Sequence, residues 1–422
     1  MKKIVIIGGG IGGLSTAYYL RSLKNKSKEN IKITVVSKRR NFEFTPAFPH
    51  LAIGWRKLYQ ISVDLESTLK KFDINYIPQD ATIIIPEKNK IILEDGKEEE
   101  YDYLVIATGP RLMMEVEGQK EYANSICTSS HALKTFQNFQ SFLENPGPVV
   151  VGAIPGTSCF GPAYEFILML SRELKKRKIN IPLYFITPEP FIGHFGLGGV
   201  AESNKILSQE LEENNIKYFT NKKITKVEAN KVIFEDLEGS KEEIESKFVM
   251  LMPRFNGPEV VETAGDKVAN PVNKMVMVNK AFQNEEYKNI YAVGVVVSIP
   301  PIEKTPIPTG VPKTGMMIEH MALAVANNII NDINNDPTRY TPELSAICVA
   351  DIGDTGIGFF LSSIQKPRKT ELYMKNYFLH HFKTVFEKYF LWKIKTGKIT
   401  PLFEEKTINL LFKAHPIYKI EK

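Results

Sequence analysis

Short β-branched apolar runs alternate along the chain with segments in which apolar residues recur at helical spacing. Residues 3–7, 31–36, 101–106 and 148–151 are runs of the kind that form buried parallel strands. A glycine-rich turn and a helical pattern over residues 14–23 follow the first run. Strands that alternate with helices in this way predict an α/β fold with parallel sheets.

The turn after the first run has the spacing of a dinucleotide-binding motif. Gly8, Gly10 and Gly13 form G-x-G-x-x-G between a strand and a helix, which places a pyrophosphate at the helix N terminus. The second run ends at Ser37 and Lys38, where an acidic residue usually binds the ribose, so ribose recognition must differ here. The basic, apolar start also resembles a signal peptide, but the glycines favour mature structure.

Two later segments favour FAD over NAD as the dinucleotide. YDYLVIATGP (101–110), which contributes Thr108, Gly109 and Pro110, and NIYAVG (289–294), which ends at Gly294, resemble motifs of flavoproteins with two Rossmann-like domains. They predict a discontinuous FAD domain over residues 1–115 and 281–345. A second Rossmann-like domain occupies residues 116–280, and residues 346–422 form a C-terminal region.

The turn that opens the second domain departs from a nucleotide-binding sequence. It reads GAIPGTSC over residues 152–159, with no middle glycine and with a rigid ring at Pro155. Both features hinder the close approach of a pyrophosphate. We therefore do not expect NADH to bind this domain or to serve as electron donor.

The chain has 422 residues, of which 43% are hydrophobic and 24% charged, as in ordinary globular proteins. No apolar run is long enough to span a bilayer as a helix. Three cysteines are too few for a disulfide framework. Cys159 falls where a helix should begin, and helix amides favour the thiolate, so we expect a lowered pKa and a reactive sulfur. The alternative for each cysteine is a buried structural role.

The C-terminal region differs in composition from the rest of the chain. Residues 373–392 contain eight aromatic residues, several of them four apart, and residues 371–422 contribute +5 of the formal net charge of +6. From about residue 371 this predicts an amphipathic helix, followed after Pro401 by a short apolar stretch at 408–412. Aromatic and basic residues together favour an anionic lipid surface. The alternatives are packing on the body of the protein or pairing within an oligomer, whereas no motif suggests nucleic acid.

Three longer stretches resemble the sulfide:quinone oxidoreductases, especially their bacterial type, and the resemblance covers nearly the whole chain. They are FTPAFPHL (44–51), SCFGPAYE (158–165) and EKTPIPTGVPKTG (303–315). The resemblance implies an FAD enzyme that oxidises sulfide to polysulfide or elemental sulfur and reduces a membrane quinone. It also implies a peripheral position on the inner membrane of a prokaryote, and a homo-oligomer such as a trimer.

The resemblance further assigns roles to individual residues. Cys159 and Cys348 would form the redox pair, and Cys127 matches a position that binds the flavin covalently in some relatives. Glu165 and His194 would accept protons from sulfide, although a solvated helix carboxylate and a loop histidine are the alternatives. Lys313, followed by Thr314 and Gly315, would place positive charge near the reduced flavin. Phe386, Lys383 and Ile347 would contact the quinone.

Three other functions remain open on the sequence. A related flavoprotein would pass electrons from sulfide to a soluble cytochrome, and would not need the aromatic C-terminal region. An NADH-dependent quinone or disulfide reductase would need a usable second dinucleotide turn. A flavin-bearing binding module would show no turnover. We assign no metal site.

Overall fold

The computed structural model describes residues 1–399, 409–410 and 415–420. The apolar stretch expected at 408–412 therefore lies largely outside the described residues. Up to residue 113 the elements are β1 (Lys2–Ile7), α1 (Ile11–Ser22), β2 (Ile31–Val36), β3 (Asn41–Glu43), α2 (Phe48–Ile53), β4 (Ser62–Asp64), α3 (Leu65–Lys70), β5 (Asn75–Ile77), β6 (Ala81–Ile85), β7 (Lys90–Leu93), β8 (Glu98–Glu100), β9 (Tyr103–Ile106) and β10 (Arg111–Met113).

The middle of the chain repeats the alternation of strands and helices. Its elements are α4 (Gln119–Tyr122), α5 (Ser129–Glu144), β11 (Val149–Ala153), α6 (Gly161–Lys176), β12 (Leu183–Ile186), α7 (Ser203–Glu213), β13 (Ile216–Phe219), β14 (Lys223–Val227), β15 (Lys231–Glu235), β16 (Lys241–Glu245), β17 (Phe248–Met252), β18 (Arg254–Asn256) and α8 (Glu259–Glu262). The remaining elements are β19 (Ile290–Ala292), α9 (Gly315–Ile333), β20 (Tyr340–Pro342), β21 (Ala346–Asp351), β22 (Gly356–Leu361), β23 (Glu371–Asn376), α10 (Tyr377–Thr396) and β24 (Ile417–Lys419).

Two parallel sheets form the α/β body, as the apolar runs predicted. The first has the order β19-β9-β1-β2-β5, and the second has the order β13-β12-β11-β17. Strand β19 joins the first sheet after the chain has completed the second, pairing Ile290 with Leu104. The central strands β1 and β11 are buried on both faces, which explains why they are continuous apolar runs.

The C-terminal region begins with an antiparallel sheet and not with a helix. Residues 371–376, expected to be helical, form β23 because they pair along their whole length with β22. Helix α10 starts only after Asn376, whose side chain accepts a hydrogen bond from the Leu379 amide at 3.0 Å and caps the helix. Such a cap stabilises a helix by about 1 kcal/mol.

Helix α10 packs its inner face on the body of the protein. The Phe390 ring lies 5.4 Å from Phe44 and 6.0 Å from Phe42, between ring centres. The Tyr18 hydroxyl donates to the carbonyl of Ile394 at 2.8 Å. Within the described ranges, no helix is both long and apolar enough to cross a membrane.

Candidate functional site: a dinucleotide cradle beside three cysteines

The turn between β1 and α1 is shaped to receive a phosphate group. A Cβ at Gly8 would lie 2.2 Å from the Ala107 carbonyl oxygen, and one at Gly13 would lie 1.9 Å from that of Gly8. A Cβ at Gly10, by contrast, would meet no atom within 4 Å. Gly10 is the N-cap residue of α1 and has no side chain that could accept a hydrogen bond, so the first backbone amides of the helix stay available. Open space in front of free helix amides fits a pyrophosphate.

A second helix N terminus lies beside this turn. A Cβ at Gly315, the first residue of α9, would lie 3.7 Å from the side chain of Ile11, the first residue of α1. Thr314 caps α9 by accepting from the Met317 amide. Lys313 precedes this cap, and burial lowers its pKa to about 8, with no described charged neighbour contributing. The Lys313 ammonium has no counter-ion among the described residues and is still protonated at neutral pH. It therefore suits an acidic group of a cofactor.

The other expected cofactor residues lie around the same edge of the first sheet. They follow the carboxyl ends of β2, β9 and β19, and the set comprises Ser37, Lys38, Thr108, Gly109, Pro110 and Gly294. Because carboxyl ends of parallel strands meet at one edge, these residues face the opening where a dinucleotide binds. Lys38 forms an ion pair with Glu94 at 2.7 Å, and the Ser37 hydroxyl lies against the glycine turn at Gly9.

The corresponding turn of the second sheet, between β11 and α6, is closed. A segment that we call the strap, residues 305–315, crosses it and leads directly into α9. The Gly156 amide donates to the Pro308 carbonyl at 2.7 Å, and the Gly310 amide donates to the Thr157 carbonyl at 2.8 Å. A Cβ at Gly310 would lie 2.6 Å from that of Ser158. A second dinucleotide would need the Gly156 amide and the space in front of it, and the strap occupies both.

The three cysteines are remote in sequence, but in the fold Cys159 acts electrostatically on the other two. Cys159 lies two residues before α6, Cys348 lies on β21, and Cys127 lies just before α5. All three are free thiols. The charge of Cys159 raises the pKa of Cys127 and of Cys348, so both lie within its electrostatic reach. Strand β21 also packs against α6, which carries Cys159 at its start.

The expectation of a lowered pKa for Cys159 is wrong. Burial raises the pKa of Cys159 to about 11, and burial likewise raises that of Cys127 to about 12. Cys159 precedes the first helical residue by two positions, so the helix dipole does little against the cost of removing a thiolate from water. Cys348 has an exposed surface, yet the protein around it also raises its pKa.

Glu165 lies in a buried charged cluster that also contains Lys383. The Lys383 ammonium donates to Glu165 Oε1, and the Asp351 amide donates to the same oxygen at 2.9 Å. Both side chains are nearly fully buried. Thus one oxygen on the Cys159 helix contacts α10 and the strand of Cys348. A role of Glu165 as proton acceptor for sulfide stays a prediction, and its contacts show that it also joins these elements.

Asp351, His50 and His380 form a second buried cluster, and no sequence motif indicated these three residues as a site. Asp351 accepts from His50 Nε2 at 2.9 Å, from His380 Nδ1 at 2.8 Å and from the Gly353 amide at 2.8 Å. Burial by itself would raise the pKa of Asp351, but these hydrogen bonds outweigh it and hold the pKa at about 2. The only signal in the sequence was His50, within the stretch at 44–51.

His194 is fully buried, and both of its ring nitrogens are engaged. The Gly196 amide donates to Nδ1 at 3.1 Å, so the proton of the neutral ring is on Nε2, which lies 2.7 Å from Glu303. Burial lowers the pKa of His194 and favours this neutral form. Its proposed part in sulfide deprotonation would require one of these contacts to open, and it remains a prediction.

The two hydrophobic residues expected at the quinone lie on different elements. Ile347, on β21, packs on Phe360, and Met316 at the start of α9 packs on the same ring. Phe386, on α10, stacks on Phe382 at 6.1 Å between ring centres. Phe360 therefore connects Ile347, on the cysteine strand, with the cofactor end of α9.

Comparisons with known proteins agree with this architecture. Residues 2–155 match the family model of the pyridine nucleotide-disulphide oxidoreductases. The fold and the glycine turn thus define the class of dinucleotide-binding oxidoreductases.

A more specific assignment follows from the relatives. The chain is 56% identical to the sulfide-quinone reductase of Aquifex aeolicus, over 99% of this chain and 96% of that protein. It is 25% identical to the mitochondrial sulfide:quinone oxidoreductase of Dictyostelium discoideum, over 78% and 71% of the two chains. The crystal structure of the Aquifex aeolicus enzyme superimposes with a TM-score of 0.97 at 55% identity, covering 100% of this chain and 98% of that one. The chain belongs to the sulfide:quinone oxidoreductase family.

Proposed function

We propose that this protein oxidises sulfide at Cys159 and Cys348 and passes the electrons through FAD to a quinone. The observation that carries the proposal is that Cys348 lies within electrostatic reach of Cys159, although the two are 189 positions apart in the sequence. The strap connects the two sites, since it contacts Thr157 next to the Cys159 turn and ends at Lys313 and α9. The 56% identity to a sulfide-quinone reductase supports the same activity.

FAD, when bound, would accept two electrons at the flavin ring and release them to the quinone. The Gly8–Gly13 turn and α1 would bind its pyrophosphate, and Lys313 would face the ring end and favour negative charge there. We propose that residues 1–115 and 281–345 form the domain that binds it, and residues 116–280 a second domain without an NADH site. The bond of the Gly156 amide to the strap supports the absence of NADH binding.

The cysteines supply the chemistry of the sulfur step. In the oxidised pair, hydrosulfide attacks one sulfur of a Cys159–Cys348 disulfide, forms a persulfide there and releases the other sulfur as a thiolate. The persulfide and the released thiolate would then join as a trisulfide, with loss of one proton and two electrons, and the cofactor would accept the electrons. The high pKa of Cys159 makes its thiolate a strong electron donor and favours this oxidation. Attack of a further hydrosulfide on the trisulfide would repeat the cycle and lengthen the sulfur chain.

An anaerobic titration tests donor and acceptor together. Sulfide added to the purified yellow protein should bleach the flavin absorbance, and a soluble quinone should restore it. Sulfide that leaves the flavin oxidised would refute the proposal. Bleaching by NADH alone would instead favour an NADH-dependent reductase.

Cys127 is the candidate for a covalent bond to the flavin. Its position within reach of Cys159 supports this assignment, since the reacting ring must lie near the same sulfur. Denatured parent protein should retain the flavin mass, and Cys127→Ser protein should release it. Flavin that washes out of the denatured parent would rule out the bond.

We propose that the quinone binds near Lys383, Phe386 and Ile347 and enters from a membrane surface on which α10 docks. The outer face of α10 carries an apolar stripe formed by Phe378, Phe382, Val385 and Trp392, and Phe378 is 79% exposed. Lys388 and Lys395 are exposed beside it. An aromatic stripe with lysines matches the interface of a bilayer that contains anionic lipid.

Substitutions on the stripe test docking better than deletion of residues 371–422, because the inner face of α10 belongs to the core. Phe378→Ser with Val385→Ser should reduce flotation with vesicles of anionic phospholipid, whereas Val272→Ser, at an isolated position that is 81% exposed, should not. Unchanged flotation would contradict docking through this face. A change in oligomeric state without a change in flotation would assign the stripe to a contact between copies of the chain.

A further inference from the structure

The Asp351 cluster reaches from the surface of α10 to the buried charges at the proposed quinone site. Asp351 is almost completely buried, whereas the His380 side chain is 26% exposed. Because the Asp351 pKa is held at about 2, its carboxylate is charged at neutral pH and accepts a proton-bearing His380 Nδ1. This leaves His380 Nε2 as the acceptor nitrogen of the neutral ring. The side chain can therefore take up a proton on one nitrogen and give up a proton on the other.

Lys383 lies beside this pair. It is three residues after His380 on α10, so the two side chains share a helix face. Lys383 Nζ and the Asp351 amide hydrogen-bond to the same oxygen of Glu165, which puts the ammonium within a few ångströms of the Asp351 residue. His380 is the most exposed of these four side chains, whereas Asp351, Glu165 and Lys383 are each at most 10% exposed.

We propose that the protons consumed in quinone reduction enter at His380. From His380 they pass through Asp351 and reprotonate Lys383. The inference rests on the proposed function. A quinone takes two electrons from the reduced cofactor and two protons, and forms two O–H bonds. A buried lysine that gives a proton to a quinone oxygen must regain one from water before the next turnover. Asp351 carries that proton only transiently, since its carboxylate gives a proton up readily.

The groups that face His380 come from three elements. Asp351 and the Gly353 amide belong to the β21–β22 hairpin, His50 on α2 shares the carboxylate, and the rings of Tyr377 and His381 on α10 lie 6.3 and 4.9 Å away between ring centres. His381 is exposed and, within the described part of the chain, its contacts with these residues are through the ring only. It provides a matched control next to His380.

The test compares His380→Asn with His381→Asn in the flavin-loaded protein. Asparagine can still donate a hydrogen bond to Asp351, but it cannot accept a proton on one nitrogen and release one from another. The variant therefore keeps the contact with Asp351 and loses the relay. Flavin reduction by sulfide should be unchanged in both variants. Reoxidation by a soluble quinone, followed by anaerobic stopped flow, should slow roughly 10- to 100-fold in His380→Asn only, which is the usual contribution of a proton-transfer group. Added imidazole should restore the rate, and the solvent isotope effect should increase in this variant.

The outcomes separate the relay from the proposed function. Reoxidation of His380→Asn at the parent rate would overturn the relay, and so would a slow variant that neither imidazole nor isotope substitution affects, because that pattern indicates a structural role. Equal slowing in His381→Asn would also overturn it. Failure of sulfide to reduce the flavin of the parent would instead refute the proposed function.

Discussion

The protein uses the same strand–turn–helix unit twice, at β1–α1 and at β11–α6, and the two turns differ in what lies over them. At the first, the space over Gly10 is open and the helix amides are free. At the second, the strap binds Gly156 and Thr157 and fills that space. The second turn leads instead to Cys159. The two turns share one fold, so the difference between an open dinucleotide turn and a closed turn followed by a cysteine comes from the segment that lies over the turn.

The largest expected effect comes from removing the thiol of the second turn. Cys159→Ser should retain the yellow flavin but slow sulfide-driven flavin reduction by about a thousandfold or more, because a hydroxyl cannot form the disulfide. Cys348→Ser should behave alike, and the double variant should be no slower than either single one, since the two sulfurs act as a unit. Stopped-flow absorbance measures all three. Normal turnover in either single variant would refute the pair.

A smaller effect is expected from a methyl group at the first turn. Gly10 has φ −86° and ψ −167°, which alanine also adopts, and an added Cβ meets no protein atom. Gly10→Ala should therefore leave unfolding of the cofactor-free protein unchanged. It should weaken flavin binding about tenfold or more, which corresponds to about 1.4 kcal/mol. Equal flavin affinity in variant and parent would mean that the cofactor does not approach this turn.

The smallest effect concerns the pH dependence of the Cys159 thiol. In reduced Cys127→Ser/Cys348→Ser protein, the rate of alkylation by iodoacetamide should rise about tenfold per pH unit from pH 7 to pH 10, because the thiolate fraction keeps growing up to a pKa of about 11. An unperturbed thiol would level off near pH 8.5. A plateau below pH 8 would restore the expectation of a helix-activated thiolate.

Much of the fold could be predicted because its cause is local. The β-branched runs became β1, β2, β9 and β11 within two residues at each end. Helix α1 starts at Ile11, earlier than the apolar pattern suggested, because the glycine turn itself begins the helix. The sequence could not show that residues 371–376 form a strand, since their pairing partner β22 is a separate apolar run.

The site likewise has some features that are local in the sequence and others that depend on how distant elements pack. Spacing alone identifies the glycines at 8, 10 and 13, because a phosphate turn fixes their separation. The bond between Asp351 and the two histidines, His50 and His380, depends on how α2, β21 and α10 pack, and no local pattern encodes it. Burial raises the pKa of Cys159, opposite to the direction expected from the sequence, and burial is a property of the assembled fold.

The most direct test of the central claim is to map the sulfur bonds of the protein after turnover with sulfide and excess quinone. Acid-quenched protein, digested without reductant and analysed by mass spectrometry, should give one linked pair of peptides containing Cys159 and Cys348, joined directly or through added sulfur atoms. Cys159 also lies within reach of Cys127, so the result is not trivial. A bond between Cys159 and Cys127, or two unlinked thiols, would contradict the account.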